Sequence, residues 1–185
     1  LDSIKQPLII GAIVNKGNTL LNTSILWGGE LPETYIKQHL TPFGEYIPLR
    51  SLARIVSPLV DEVEDFSPGN SGKTFEIGAI KIAPVICYEL IDDALLEKAA
   101  KNSNILAVQT NSATFGMSAE SAQQLSITRI RAIEHGRNIA SVSTTGYSAI
   151  IDSSGKILQQ TSMGTADSIR AEVDLIQGLT PRDKA

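Results

Sequence analysis

Ala83-Pro84-Val85-Ile86-Cys87-Tyr88-Glu89-Leu90 is the stretch on which the reading of this chain turns. It closes an apolar strand pattern, Ala79 to Ile86, and leads into a helical pattern, Ile91 to Ala100. A second buried-strand run, Ile105 to Gln109, follows. Strand, helix and strand in that order predict an α/β layer fold with helices covering sheet faces. Downstream, Ser121 to Gly136 is the stronger helix, with Ala122, Leu125, Ile130 and Ile133 in one arc of the helical wheel. Ile139 to Ser143, Ser148 to Ile151 and Lys156 to Gln160 read as short strands, with Ser153-Ser154-Gly155 as a hairpin turn. Ser168 to Val173 reads as a last strand.

Upstream, Leu8 to Val14 has a buried-strand pattern, Asn15-Lys16-Gly17-Asn18 signals a turn, and Thr19 to Trp27 is the returning strand. Gly28-Gly29 breaks it, and Thr34 to His39 begins as another extended segment. Thr41 to Pro48 is a structured loop, Leu49 to Val60 holds a short helix ended near Pro58, and Asp61 to Gly72 is an acidic surface connection. Thr74 to Ile77 is a further strand. The hairpins make the sheet mixed rather than purely parallel. No repeat or second-domain boundary is visible, so one domain over residues 1–185 is expected.

Composition limits the function classes. The 185 residues are 42% hydrophobic and 19% charged, a globular balance. A net charge of -4 excludes nucleic-acid binding through a general basic surface. The longest apolar stretches, such as Pro7 to Val14, fall far short of the ~20 residues of a membrane-spanning helix. One cysteine rules out an intrachain disulfide, and with only two histidines a structural zinc site is not expected. The chain opens at Leu1 without a methionine and closes after a polar turn, and reads as a piece of a longer protein.

Three segments bear chemistry. Cys87 falls at a strand-to-helix junction, where α/β proteins place their sites and where free backbone N–H groups favour a thiolate and an oxyanion. A buried structural thiol is the alternative at that position. Lys37, in Tyr35-Ile36-Lys37-Gln38-His39-Leu40-Thr41-Pro42-Phe43-Gly44-Glu45-Tyr46-Ile47-Pro48, could hold a thiolate and then an oxyanion, with Glu45 orienting it. Taken alone, both charged groups read as exposed surface residues, as charged side chains mostly are. Thr110 to Gly116, followed by Gln123-Gln124, is by itself only a polar loop after a strand. Leu49, Leu52, Ile55 and Leu59 could meet lipid or pack on their own core.

Taken together, the Lys37 block, the Ile86-Cys87-Tyr88-Glu89 block and the Asn111 to Gly116 loop leading to Arg131-Ala132-Ile133-Glu134-His135-Gly136-Arg137 form a specific constellation. It resembles the nitrilase, or carbon–nitrogen hydrolase, superfamily, and within it the apolipoprotein N-acyltransferase family, from about Leu8 to about Pro181. The loop and helix are similar to the actinobacterial branch. The resemblance implies an α-β-β-α sandwich with mixed sheets, incomplete at the N-terminus. It assigns Cys87 as nucleophile, Lys37 as the triad lysine and Glu45 as a supporting glutamate. Tyr88 would offer its N–H to the oxyanion hole, with Glu89 beside it, and Asn111 and Phe115 would line the site. The general-base glutamate is expected upstream of Leu1, since Glu30 and Glu33 lie too close to Lys37, and the piece alone is expected to be inactive.

The resemblance further implies a phospholipid acyl donor, a diacylglyceryl-cysteine lipoprotein N-terminus as acceptor, and a site on the extracytoplasmic face of the bacterial cell membrane. The membrane segments would lie outside this stretch. No metal or organic cofactor and no nucleic acid is implied. Two alternatives stand beside this reading: a soluble amidase of the same superfamily, and a non-catalytic scaffold that kept the fold.

Overall fold

The computed structural model of the chain describes residues 6–29, 32–51, 54, 64–113, 116 and 118–184. The chain divides into two compact units, Leu1–Ser71 and Gly72–Ala185.

In the first unit, β1 (Leu8–Lys16) and β2 (Thr19–Trp27) form an antiparallel hairpin in register from Leu8↔Trp27 to Lys16↔Thr19. Gly17 takes φ +69, the left-handed conformation that a two-residue hairpin loop favours. β3 (Glu33–Ile36) pairs antiparallel with β2, giving the order β1-β2-β3. The apolar run in β1 is not a buried strand. Gly11 is exposed and Ile13 is 63% exposed in β1, an edge strand among the described residues, while the central β2 buries Thr23, Ser24 and Leu26. Of the expected helix between Leu49 and Val60, Arg50, Ser51 and Arg54 are helical; Leu52, Ile55, Leu59 and most of the remainder lie outside the described residues.

The second unit is built on a sheet of order β4 (Phe75–Ile77), β5 (Ile80–Ile86), β6 (Ile105–Thr110), β7 (Asn138–Ser143), β8 (Ala149–Ile151) and β9 (Ile157–Gln160). β5, β6 and β7 run parallel, and the flanking pairs are antiparallel. Parallel neighbours need crossovers, which α1 (Asp93–Lys101) and α2 (Glu120–His135) supply. Register aligns two apolar rows on one face, Ala83-Leu106-Ile139-Ile151 and Val85-Val108, continued by Ser141 and Ala149. Leu90, Leu96 and Ala132 complete this core.

α1 starts where Asp92 accepts a 3.0 Å hydrogen bond from the Leu95 N–H, and α2 stops at Gly136, which takes φ +56. Of the expected apolar arc of α2 only Leu125 packs on the core. Ile130 and Ile133 are 59% and 56% exposed and Ala122 is exposed, while Ser121, Thr128, Ala132 and His135 are buried. The small or internally satisfied side chains face inward, as Thr128 Oγ1 donates to the Gln124 carbonyl. Ser168 to Val173 is not a strand, although Ile169, Ala171 and Val173 are half-buried and the residues between them exposed. Its alternation survives without a ladder, because no strand pairs with it among the described residues. A last turn of helix, α3 (Pro181–Lys184), closes the described chain.

Candidate active site

Lys37 follows β3 directly, and its main chain is held on both sides. Its N–H donates to the Asn22 carbonyl at 2.9 Å, and its carbonyl accepts from the Gly69 N–H at 2.8 Å. The side chain is 1% exposed. A buried ammonium must be fully paired. Lys37 Nζ donates to Glu45 Oε2 at 2.5 Å and to Thr41 Oγ1 at 3.1 Å. The Pro42–Tyr46 turn bends the chain so that Glu45 meets Lys37, with the Phe43 N–H donating to the Tyr46 carbonyl at 2.8 Å. Phe43 takes φ +62 in that turn.

Glu45 also accepts from Asn22 Nδ2 at 2.6 Å and from the Thr41 N–H at 2.7 Å. Burial pushes its carboxyl up, but the hydrogen bonds from Lys37, Asn22 and Thr41 outweigh that and hold it below the ordinary carboxylate value. The first unit therefore carries a buried Lys–Glu pair rather than two surface charges. Asn22 and Thr41 were not singled out by the sequence reading. Thr41 lies inside the block that carries the resemblance, whereas Asn22 sits on another strand and has no local signal.

In the second unit Cys87 ends β5 and begins a 3₁₀ turn, Cys87–Ile91. Its φ is +50, a left-handed backbone uncommon for a residue with a side chain. Such strain gathers at functional sites, where the surrounding structure holds it in place. Here the brace is local. Glu89 is fully buried and its carboxylate accepts the Ile86 N–H at 2.7 Å, while the Asp92 N–H donates to the Glu89 carbonyl at 3.0 Å. Cys87 and Tyr88 are half-buried. A half-exposed thiol on a sharp strand-to-helix turn can reach a substrate, as one packed in hydrocarbon cannot.

The ends of the neighbouring parallel strands continue this edge. Asn111, just past β6, is exposed and its Oδ1 accepts from Thr144 Oγ1 at 2.8 Å and from the Ala113 N–H at 3.1 Å. Gln124 donates to Thr110, and Ser112 and Ser143 share a 3.1 Å hydrogen bond. Thr110, Ser112, Ser121, Ser143 and Tyr147 line a small polar cleft with room for about one water molecule. Phe115 lies outside the described residues. Among the described residues no group of acidic, histidine and cysteine side chains could hold a metal, and no helix is long and apolar enough to cross a membrane.

Comparison with known proteins fits this architecture. The carbon-nitrogen hydrolase family matches residues 3–178, across both units. An apolipoprotein N-acyltransferase of Pseudomonas paraeruginosa is 34% identical over 96% of this chain and 36% of its own length. The protein of the same name from Mycolicibacterium smegmatis is 32% identical over 99% of this chain and 32% of its own length. The chain thus spans about a third of the length of these curated relatives. Among solved structures, an amidase from Nesterenkonia sp. AN1 superposes with a TM-score of 0.65 at 17% identity, covering 86% of this chain and 60% of that one. A glutamine-dependent NAD+ synthetase from Acinetobacter baumannii reaches 0.68 at 15%, covering 87% and 30%. The fold is therefore the nitrilase-like α/β type with mixed sheets, and the chain belongs to the carbon-nitrogen hydrolase family.

Proposed function

We propose that this protein is an apolipoprotein N-acyltransferase, moving an acyl chain from a phospholipid through a Cys87 thioester to the N-terminal amine of a diacylglyceryl-cysteine lipoprotein. The observation that carries the reading is Cys87 at φ +50 on the turn after the parallel strand β5, in a chain matched over nearly its whole length by relatives of that name. The buried Lys37–Glu45 pair supports it, because a desolvated ammonium is a strong donor to a developing negative charge.

The Cys87 thiolate adds to the ester carbonyl, forming the carbon–sulfur bond. The resemblance assigns the binding of the oxyanion to Lys37 and the Tyr88 N–H. Collapse breaks the carbon–oxygen bond, and the lysophospholipid leaves as an alcohol with the proton first taken from the thiol. The acceptor amine then adds to the thioester, the carbon–sulfur bond breaks, and the amide leaves with the thiol restored. A thioester retains enough acyl-transfer potential for amide formation. The resemblance assigns the general base to a glutamate on a strand upstream of Lys37, a role that neither Glu30 nor Glu33 takes. Glu45 supports the lysine, Glu89 and Asn111 shape the site, and the resemblance adds Phe115 to its lining. The substrates place the reaction at the bacterial cell membrane, on its extracytoplasmic face.

The test is intact-mass detection of an acyl adduct on Cys87 after incubating the protein encoded by the whole gene with phospholipid vesicles. The adduct is expected in the wild type and absent in Cys87→Ala. Lys37→Met should slow its formation by ~10²–10³. An adduct retained in Cys87→Ala overturns the nucleophile assignment. Hydrolysis of a small amide with no acylation from phospholipid would instead make the protein an amidase.

A further inference from the structure

The 3₁₀ turn that carries Cys87 has a second brace, which comes from a distant helix. Arg131 on α2 donates its Nε–H to the Leu90 carbonyl at 2.8 Å. Its two remaining nitrogens are also engaged, with Asp93 Oδ1 at 2.7 Å and Glu134 Oε2 at 2.5 Å. Arg182 on α3 meets the same two carboxylates, Glu134 Oε1 at 3.0 Å and Asp93 Oδ2 at 3.5 Å. Two arginines and two carboxylates therefore close a ring that joins α1, α2 and α3. The ring is anchored inward, since Arg182 Nη1 lies 3.2 Å from His135 Nε2 and His135 Nδ1 lies 2.9 Å from Asp183 Oδ1. His135 and Asp183 are both buried.

Burial pulls the Arg131 guanidinium down, but hydrogen bonds and charge from Glu134 and Asp93 more than offset it and raise it above its ordinary value. Its side chain is 12% exposed. A planar guanidinium locked on two sides presents its third donor in one direction only. That donor holds Leu90, three residues beyond a cysteine kept in a left-handed backbone. We infer that Arg131 is a positioning residue for the nucleophile, with Arg182 and the Asp183–His135 pair holding it from behind. The chain of contacts runs from α3 through the ion-pair ring to the Leu90 carbonyl, and so to the 3₁₀ turn Cys87–Ile91 that carries the thiol. The inference rests on the nucleophile reading of Cys87.

Cys87 is the one cysteine of these 185 residues, and in the protein encoded by the whole gene its alkylation by iodoacetamide is read on the peptide that carries it by mass spectrometry. Arg131→Lys keeps the positive charge beside Asp93 and Glu134, and so keeps the fold, but cannot donate in three fixed directions. In that variant the pH midpoint of the alkylation rate should rise by about one unit, and the rate at neutral pH should fall about tenfold, as the loosened turn stops favouring the thiolate. Arg182→Gln should shift the midpoint the same way by less. Lys101→Gln, which removes only an exposed pair to Glu97, should keep the wild-type midpoint. Equal midpoints in wild type and Arg131→Lys overturn the inference, as does a lowered melting temperature with no change of midpoint. A shift in Lys101→Gln equal to that in Arg131→Lys also overturns it. Acylation by phospholipid is scored separately. Its absence in the wild type removes the acyltransferase reading and leaves the midpoint comparison standing.

Discussion

Lys37 and Glu45 are residue types that sit on protein surfaces unless something pairs them. Here each supplies the other's partner at 2.5 Å, and Asn22 and Thr41 fill the remaining positions. Removing one member therefore costs more than the pair contributes. Glu45→Gln leaves the ammonium without its carboxylate and should lower stability at neutral pH by about 3 kcal/mol, measured by urea unfolding. The pH dependence has a definite sign. The folded-state carboxyl is held below the ordinary 4.5, so its stabilisation is present above that value and is lost as pH falls through the lower folded-state value. The stability profile of Glu45→Gln should therefore be flatter than that of the wild type below pH 4.5. Acid limbs of equal slope would show that another carboxyl governs that range.

The end of β3 is placed by a close backbone approach. A Cβ added to Gly69 would lie 2.3 Å from the Ile36 carbonyl oxygen, and main chain cannot swing away as a flexible side chain can. Gly69→Ala should force the segments apart, break the Gly69 N–H bond to the Lys37 carbonyl and cost about 2 kcal/mol, seen as a lower melting temperature. Gly72→Ala is the matched control, because its Cβ would meet only the Lys98 Cε at 3.9 Å. A melting temperature unchanged in Gly69→Ala would mean that the approach is not tight. The α2 helix teaches a related point. Its extent followed from periodicity and the Gly136 stop, yet its fully buried residues are serine, threonine, alanine and histidine, with Leu125 and Ile127 packed beside them. Ile130 and Ile133 remain 59% and 56% exposed.

Arg137 ties together parts of the second unit that no single element joins. It is 1% exposed, donates to the Ala100 and Ser103 carbonyls at the end of α1, and reaches the Gly178 carbonyl at 2.6 Å. Arg137→Met should leave these acceptors unpaired and cost about 3 kcal/mol, read as a lower urea midpoint with no change of slope. A midpoint within error of the wild type would show that water replaces the guanidinium at no cost. Such a residue cannot be recognised from its neighbours in the chain, since all its acceptors but the Gly136 carbonyl lie 34 to 41 residues away. The same distance hid Asn22 from Glu45, 23 residues apart, and Arg131 from Leu90, 41 apart.

What could be read from the chain was local. The order of strands and helices, the Gly17 hairpin and the position of Cys87 at a strand end follow from side-chain periodicity and turn chemistry within a few residues. Burial does not follow in this way, because it depends on which distant segments arrive opposite a residue. That is why Leu8 to Val14 proved to be an edge strand, Ser168 to Val173 kept its alternation without a ladder, and a lysine became one of the most deeply buried side chains.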